Sequence, residues 1–200
     1  RKMSSKRIFI VTGGSQNIGL SIAQRFKQNG ATVICADLKS PQDESLNFIV
    51  TDVSSEASVT AMMDQVEKEF GHLDVLVNNA GICVETPIQD TTEQQWHRVM
   101  DINIKGTFLT TKHALRLMKK PAAQAPSIVN ISSIEGLGAN PLHAVYAASK
   151  AAVAGFTHNT ALEYGPYGIR CNSVAPGWIN TPFNQQFLAQ YPDRETVDAE

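Results

Sequence analysis

Short apolar runs alternate with longer amphipathic stretches along the 200-residue chain. Six runs rich in valine and isoleucine predict buried strands, at residues 7–12, 32–36, 47–51, 74–77, 127–131 and 170–175. Between them apolar residues recur at helical spacing, as at Ile18, Ile22, Ala23 and Phe26. A helix after nearly every strand implies right-handed crossovers. The pattern therefore predicts an α/β fold with a doubly wound, Rossmann-like parallel sheet.

Two segments depart from this alternation. Residues 121–126 (PAAQAP) cannot continue a helix and predict a surface loop. From Trp178 onward the chain is polar and irregular and predicts no further strand. We therefore expect a single domain over 1–200, with a flexible N-terminus at 1–6 and an irregular segment at 178–200.

Composition and charge narrow the class of protein. The chain is 42% hydrophobic and 18% charged, with a formal net charge of −2. No basic stripe indicates a nucleic-acid or membrane partner, and no apolar run approaches the length of about 18 residues that a spanning helix needs. Three cysteines far apart in sequence argue against a disulfide framework and fit a reducing compartment, so we expect a cytoplasmic protein. We expect Cys35 to fill the core.

Metal is not predicted from the sequence. The five histidines never stand at ligand spacing with cysteines or acidic residues.

A glycine-rich turn follows the first predicted strand and opens the first helix, at residues 12–19 (TGGSQNIG). In that context glycines allow a tight turn in which backbone N–H groups approach a pyrophosphate at the helix N-terminus. The alternative is an ordinary glycine-rich connection. The residues predicted to contact the dinucleotide here are Gly13, Ser15, Gln16, Asn17, Ile18 and Gly19.

Asp37 ends the second predicted strand, where a carboxylate accepts hydrogen bonds from an adenosine ribose diol. It would repel a 2′-phosphate, and neither Leu38 nor Ser15 supplies a compensating cation. The sequence therefore favours NAD over NADP. The alternative is a solvated carboxylate at a strand end.

Oxidation of a secondary alcohol needs a hydride acceptor, which a nicotinamide provides, and a base for the hydroxyl proton. Lys150 stands four residues after Tyr146, one helical turn along the same face. Its ammonium, joined by the positive ring of oxidised NAD, should favour the phenolate and lower the tyrosine pKa from about 10. A hydroxyl after the fifth strand, from Ser133 or its rival Ser132, can hydrogen-bond the substrate oxygen. Each residue taken singly has an equally good alternative interpretation. Tyr146 alone fits a partly buried aromatic side chain, and Lys150 alone fits a solvated helix lysine.

Several motifs stand in the order of one enzyme family. They are the turn at 12–19, Asp52-Val53 after the third strand, Asn78-Asn79-Ala80-Gly81 after the fourth, Asn103, Ser133, Tyr146 with Lys150, and Pro176-Gly177 followed by Thr181. A Tyr-x-x-x-Lys pair alone is common, but this combination in register is specific. The chain resembles the short-chain dehydrogenase/reductase family in its common single-domain form, from Val11 to Thr181.

The resemblance implies a role for each matching position. The catalytic residues implied are Asn103, Ser133, Tyr146 and Lys150, with Ser133 preferred to Ser132 by its offset from the tyrosine and the Asn103 backbone anchoring a water. The cofactor contacts implied are Asp52 and Val53 at the adenine, Asn79, Ala80 and Gly81 at the ribose, and Pro176, Gly177, Ile179 and Thr181 at the nicotinamide, together with Tyr146 and Lys150. Asn17 departs from the family, which usually has glycine there, but asparagine tolerates a left-handed backbone.

The expected activity is NAD-dependent interconversion of a secondary alcohol and a ketone. Pocket walls are predicted at Cys83, Val84, Glu135, His143 and Trp178, with His143 as a wall rather than a base and Glu135 facing either substrate or solvent. The resemblance implies that 178–200 is the start of a substrate lid. Family members of this form usually continue past the point where this chain stops, so we expect the C-terminal part to be missing. The resemblance also implies a homo-oligomer, a dimer or tetramer.

Two alternatives to this activity remain open. One is a catalytically silent NAD-binding or interaction protein of the same fold, suggested by Asn17 and the short C-terminus. The other is an isomerase or dehydratase that keeps its cofactor bound, although such relatives usually have a separate substrate domain.

Overall fold

The computed structural model describes residues 6–179 and 181. Within them six strands form one parallel sheet in the order β3-β2-β1-β4-β5-β6. The strands are β1 Ile8–Thr12, β2 Thr32–Asp37, β3 Asn47–Val50, β4 Val75–Asn78, β5 Ser127–Ile131 and β6 Arg170–Val174. Every predicted strand is present, with each end within one residue of its predicted position. The doubly wound α/β fold is confirmed.

In the described part of the chain, five α-helices connect or follow these strands. They are α1 Asn17–Gln28, α2 Glu56–Phe70, α3 Glu93–Met100, α4 Gly106–Met118 and α5 Ala144–Tyr164. A π-helical segment, Asp101–Lys105, joins α3 to α4 without a break. Such segments are rare and often lie at functional sites, because the extra residue per turn re-aims side chains. The sequence pattern does not predict this π-helical segment.

Hydrophobic residues cover both faces of the sheet. On β1, Ile8 and Ile10 contribute to one buried cluster, and Phe9 and Val11 contribute to the other, since strand side chains alternate between faces. The first cluster includes residues of α2, α4 and α5, and the second includes Ala23 of α1. Cys35 is fully buried in the second cluster, as predicted.

The chain reverses direction across the sheet at β1. It moves from β1 to β2 and β3 on one side, then crosses to β4, β5 and β6 on the other. A crevice opens between diverging connections at the carboxyl ends of β1 and β4, which is where ligands bind in sheets of this type. The fold therefore places the glycine-rich turn and the segment 78–81 side by side.

Residues 121–126 form a loop between α4 and β5, as predicted. In the part of the chain that the structure describes, no helix has the length and apolar character needed to cross a membrane. Residues 1–5, 180 and 182–200 lie outside the described residues, and so do most of the predicted flexible N-terminus and lid.

Candidate active site

A cavity of about 320 Å³ opens at the carboxyl edge of the sheet, over β1 and β4. All the predicted catalytic and cofactor-binding residues line it except Ser15, Gly19 and Asn103, which each contact a residue of the lining. Of the predicted pocket walls, Val84 does not line the cavity, and Glu85 beside it does. Its lining runs from the glycine-rich turn to Tyr146, Trp178 and Thr181. The fold thus brings together residues from one end of the sequence to the other in a space of the size usual for ligand sites.

The glycine-rich turn folds back tightly between β1 and α1. Gly13 and Asn17 have left-handed backbones, with φ of 60° and 50°. Asn17 therefore adopts the conformation that the sequence analysis expected it to tolerate. A Cβ on Gly19 would lie 2.0 Å from the carbonyl oxygen of Gly13, so no side chain fits there.

Polar groups of this turn match a phosphate. The N-terminus of α1 receives no side-chain cap from Gln16, which leaves its first N–H groups for a ligand. The hydroxyl of Ser15 is buried and has no hydrogen-bond partner among the described residues. A buried unpaired hydroxyl beside an uncapped helix N-terminus fits an anionic group in the cavity.

Asp37 lies at the end of β2 with its carboxylate held in place. Its Oδ2 accepts a hydrogen bond from the Ser15 N–H at 3.1 Å, and its Oδ1 accepts one from the Leu38 N–H at 2.7 Å. Leu38 beside it is 66% exposed and carries no charge. The carboxylate therefore faces this end of the cavity without a cation at the adjoining position.

Asp52 and Val53 follow β3 at the same end of the cavity. Asp52 Oδ1 accepts hydrogen bonds from the Ser54 N–H at 2.9 Å and the Ser54 hydroxyl at 2.6 Å. Val53 is buried, and a Cβ on Gly106 would lie 2.9 Å from its Cγ2. This close approach of α4 fixes the position of the segment.

Thr12 joins the ends of β1 and β4. Its hydroxyl oxygen accepts hydrogen bonds from the N–H groups of Asn79 and Ala80, at 3.0 and 3.1 Å. In return, Asn79 Nδ2 donates to the carbonyl oxygens of Thr12 and Gly13, both at 3.1 Å. The sequence analysis did not assign Thr12 a role, although a hydroxyl residue at a strand end before glycine is a recognisable signal.

Asn103 lies within the π-helical segment and is 1% exposed. Its Oδ1 accepts from the Ile82 N–H, and its Nδ2 donates to the Ile82 carbonyl and to the Ser149 hydroxyl, all at 2.9 Å. Its backbone carbonyl accepts from the Thr107 hydroxyl at 2.8 Å. The side chain thus ties the segment after β4 to α5, and the water predicted at its backbone stays a prediction.

Ser133 and its rival Ser132 point to different environments. The Ser132 hydroxyl donates to the Lys150 carbonyl at 2.8 Å, which is a structural bond between β5 and α5. The Ser133 hydroxyl instead forms a hydrogen bond with the Tyr146 phenol. Because neighbouring residues of an extended segment face opposite ways, only Ser133 faces the tyrosine. The geometry favours Ser133.

The Tyr146 phenol is largely buried. Burial raises its pKa to about 12, the Ser133 hydrogen bond opposes this rise, and the neighbouring Cys83 and Glu135 add to it. Lys150 Nζ lies 5.7 Å from the centre of the tyrosine ring. The predicted lowering of this pKa by Lys150 is therefore not produced by the described residues themselves, and the phenol is protonated at neutral pH.

Lys150 is only 4% exposed, and its Nζ donates to the carbonyl oxygen of Ile131 at 2.8 Å. Burial lowers its pKa from the ordinary 10.5 to about 8, with a small opposing effect of Cys83. The interpretation of Lys150 as a solvated helix lysine is wrong.

The burial of this ammonium predicts how Lys150→Met changes stability with pH. Below pH 8 lysine is charged in the folded and unfolded chains, and only the folded chain bears the cost of burying it. Between the folded-state pKa of about 8 and the ordinary pKa of 10.5, the unfolded chain binds more protons than the folded chain. The free energy of unfolding of the unmodified protein therefore rises with pH over this range. The stability of Lys150→Met relative to the unmodified protein should therefore fall by about 3 kcal/mol from about pH 7 to about pH 11. Urea unfolding followed by circular dichroism at a series of pH values measures this difference.

The matched control is Lys105→Met, which removes a half-exposed ammonium paired with Asp101. A pH-dependent difference of similar size in that variant, or none in Lys150→Met, would contradict the assignment to burial.

The nicotinamide end of the predicted site comes from the segment after β6. The Pro176 carbonyl accepts from the Ile134 N–H at 3.1 Å, which holds this segment beside Ser133. The Thr181 hydroxyl donates to the Ile179 carbonyl at 3.4 Å. Gly177, Ile179 and Thr181 all line the cavity.

Four side chains form an acidic cluster beside Tyr146: Cys83, Glu85, Glu135 and His143. His143 is 3% exposed, and its ring centre lies 6.2 Å from that of Tyr146 and 6.3 Å from that of Trp178. Glu135 is 5% exposed, so the alternative that it faces solvent is wrong. Sequence spacing did not reveal this cluster, because the segments that supply it are far apart along the chain.

Comparison with known proteins gives the class to which this arrangement belongs. A family model described as short chain dehydrogenase matches residues 7–192. Cyclopentanol dehydrogenase of Comamonas sp. (strain NCIMB 9872) is 39% identical over 193 residues, which cover 91% of this chain and 76% of the relative. The NADP-dependent (R)-specific alcohol dehydrogenase of Lentilactobacillus kefiri is 38% identical over 188 residues, which cover 88% of this chain and 74% of that one.

Solved structures agree with this result. The ligand-free structure of Thermoplasma acidophilum aldohexose dehydrogenase matches with a TM-score of 0.89 and 35% identity, over 97% of this chain and 76% of that one. The chain belongs to the short chain dehydrogenase family. It is an oxidoreductase of the class that acts on CH–OH groups.

Proposed function

We propose that this protein interconverts a secondary alcohol and a ketone with NAD, and that Tyr146 is its general acid and base. The observation that carries the proposal is the meeting of Ser133, Tyr146 and Lys150 in one cavity whose other end is the glycine-rich turn. A hydroxyl pair for a substrate oxygen and a phosphate-binding turn in the same cavity are what a hydride-transfer enzyme requires.

The residues present fit a dinucleotide. The unpaired Ser15 hydroxyl and the uncapped N-terminus of α1 suit its pyrophosphate, and Asp37 suits a ribose diol. Further contacts are proposed from Asp52, Asn79, Ala80, Gly81, Ile179 and Thr181. When bound, the nicotinamide supplies the hydride acceptor or donor that no side chain provides.

Ser133 and Tyr146 act on the substrate oxygen in this proposal. Both hydroxyls donate hydrogen bonds to the carbonyl oxygen and stabilise the negative charge that develops on it. The raised pKa of Tyr146 keeps the phenol protonated, which is the form needed to give a proton during ketone reduction. In alcohol oxidation the Tyr146 phenol first loses its own proton to solvent, and the charged Lys150, together with the positive ring that oxidised NAD would supply, stabilises the resulting phenolate. The phenolate then takes the hydroxyl proton.

We expect Asp37→Asn to raise the ratio of NADP to NAD specificity, measured as kcat/KM, by at least about tenfold. A carboxylate about 4 Å from a phosphate charge costs a few kcal/mol at the dielectric of a protein surface, and a tenfold change needs only about 1.4 kcal/mol. Asparagine keeps an oxygen that can accept from Ser15 or Leu38. Steady-state rates with both cofactors measure the ratio.

Asp90→Asn, on the surface far from β2, is the control and should leave the ratio unchanged. The name of the Lentilactobacillus kefiri relative states that that enzyme depends on NADP. The same preference in the unmodified protein would contradict the role given to Asp37.

A catalytically silent NAD-binding protein is the second candidate, favoured by the bulk of Asn17 in the turn. Absorbance at the NADH band with a panel of secondary alcohols, beginning with cyclopentanol, separates the two. Turnover of any alcohol excludes the silent protein, and NAD binding without turnover across the panel excludes the enzyme.

The oligomer, the cytoplasmic location and the single domain over 1–200 stay predictions. The helix surface of α4 and α5 supports a subunit contact, because Phe108 is 45% exposed and Leu162 is 80% exposed.

A further inference from the structure

We propose that Cys83, Glu85 and His143 bind a divalent metal ion of the zinc class on the substrate side of the cavity, and that the bound ion inhibits the enzyme. A thiol sulfur, a carboxylate oxygen and an imidazole nitrogen from these residues all lie within 4.8 Å of one another. This inference replaces the sequence-based prediction that the protein has no metal site.

The spacing suits ligands of one ion. At a tetrahedral zinc, bonds of about 2.3 Å to sulfur and 2.0–2.2 Å to nitrogen or oxygen place neighbouring ligand atoms roughly 3.3–3.6 Å apart. Glu85 Oε1 and His143 Nε2 are 3.8 Å apart, which is too long for a hydrogen bond and close to that separation. Glu85 is the more exposed of the two side chains, at 21% against 4%, so its rotation can complete the approach.

Glu135 is the second observation that points to a ligand. Its carboxylate is buried, and its Oε2 accepts no hydrogen bond from the described residues. That oxygen lies 3.7 Å from Nδ1 of His143, on the side of the ring opposite to Glu85. A metal-bound histidine usually gives its second ring N–H to a carboxylate, which orients the ring and increases its basicity. Asn140 Nδ2 donates to the other oxygen of Glu135 and holds this carboxylate in position.

The charge of the cluster also favours a cation. The carboxylates of Glu85 and Glu135 both lie near the Cys83 thiol and the His143 ring. The same negative potential attracts a divalent ion, since buried charge is costly unless compensated. Lys150 is the only lysine or arginine among the described residues that line the cavity. On binding, the S–H bond of Cys83 breaks, a sulfur–zinc bond forms and the proton leaves to solvent.

The donor set determines which ion is expected. Thiolate and imidazole select zinc, whereas magnesium and calcium prefer oxygen ligands alone. Three protein ligands leave a fourth position open. That position faces the cavity next to Tyr146, where a bound ion would occupy the space of the alcohol. Inhibition should therefore be competitive with the alcohol and not with NAD, an expectation that rests on the proposed function.

Cobalt(II) titration of the metal-free protein, without cofactor or substrate, tests the site independently of activity. We expect saturable binding of one ion and a near-ultraviolet sulfur-to-cobalt charge-transfer band, displaced by zinc but not by magnesium. Cys83→Ser should abolish the band, and His143→Gln should weaken binding. Glu135→Gln should weaken it by about 10–100-fold, as loss of a partner to a metal-bound histidine usually does. Circular dichroism confirms that each variant is folded.

Cys171→Ser and His97→Gln are the matched controls, because one removes a buried thiol on β6 and the other an exposed imidazole on α3. Neither should change the band or the affinity. Absence of the band, or a band that persists in Cys83→Ser, overturns the site whether or not the protein turns over any alcohol. With an active enzyme, zinc should raise the apparent KM for alcohol and leave that for NAD unchanged, and competition with NAD would overturn the proposed position of the ion.

Discussion

Tyr146→Phe is expected to lower kcat by roughly 10²–10⁴-fold, the usual contribution of a general acid or base. The substitution removes one oxygen and leaves the ring that packs beside His143 and Lys150. NAD affinity should change little, because the proposed cofactor contacts are spread over the turn, Asp37 and the segment after β4. Steady-state rates and fluorescence titration with NADH measure the two quantities separately.

Tyr164→Phe is the control, since Tyr164 ends the same helix but packs against the core beneath the sheet. It should keep nearly full activity. Turnover of Tyr146→Phe close to that of the unmodified protein would remove Tyr146 as the proposed acid and base, and a parallel loss of NADH binding would mean that the residue acts mainly through the cofactor.

Gly19→Ala is expected to abolish NAD binding and to lower the free energy of unfolding by about 3 kcal/mol or more, the upper range for an overpacked site. The added Cβ would lie 2.0 Å from the Gly13 carbonyl oxygen and 2.6 Å from Nδ2 of Asn79. Backbone must move to relieve this contact, because the nearest atom is not on a flexible side chain. The movement would open the turn and break the bond between Asn79 and Gly13. Urea unfolding and NADH titration measure both effects.

Gly155→Ala is the matched control in another helix. No described atom lies within 4 Å of a Cβ built at Gly155. Alanine should therefore stabilise α5 by roughly 0.5–1 kcal/mol, the usual difference between the two residues within a helix. An unchanged midpoint of unfolding in Gly19→Ala would show that the turn yields more easily than its geometry implies.

The strands of the sheet were predictable because a short stretch of sequence specifies each of them. Strands covered on both faces are short apolar runs, and each here is bounded by polar or turn residues that mark its ends to within one position. The glycine-rich turn at Gly13 and the carboxylate of Asp37 were also predictable from the sequence, since their function depends on their position at the ends of strands. Parallel pairing then brings such ends to one edge without further information.

The chemistry of the substrate side was less predictable because it depends on contacts between distant segments. Cys83 and His143 lie 60 positions apart in the sequence, with α3, the π-helical segment, α4 and β5 between them, so no spacing rule connects them. Burial raises the pKa of Tyr146 in the protein without cofactor, and this effect of burial could not be predicted from the spacing of Tyr146 and Lys150. The lowering of that pKa by Lys150 together with oxidised NAD stays a prediction. The π-helical segment at Asn103 has no strong composition signal and follows from packing against α5.

Two hydrogen bonds between Asn103 and Ile82 hold the segment after β4 in position as far as Ile82. Residues 83–92 form the loop that follows this attachment, and Cys83 and Glu85 of the loop line the cavity. Changes at residues 86–92 leave the hydrogen bonds of Asn103 in place, whereas a change at Cys83 also alters the surroundings of Tyr146 and Lys150. Substrate choice can therefore diversify in the part of this loop beyond Glu85 without rebuilding the catalytic centre.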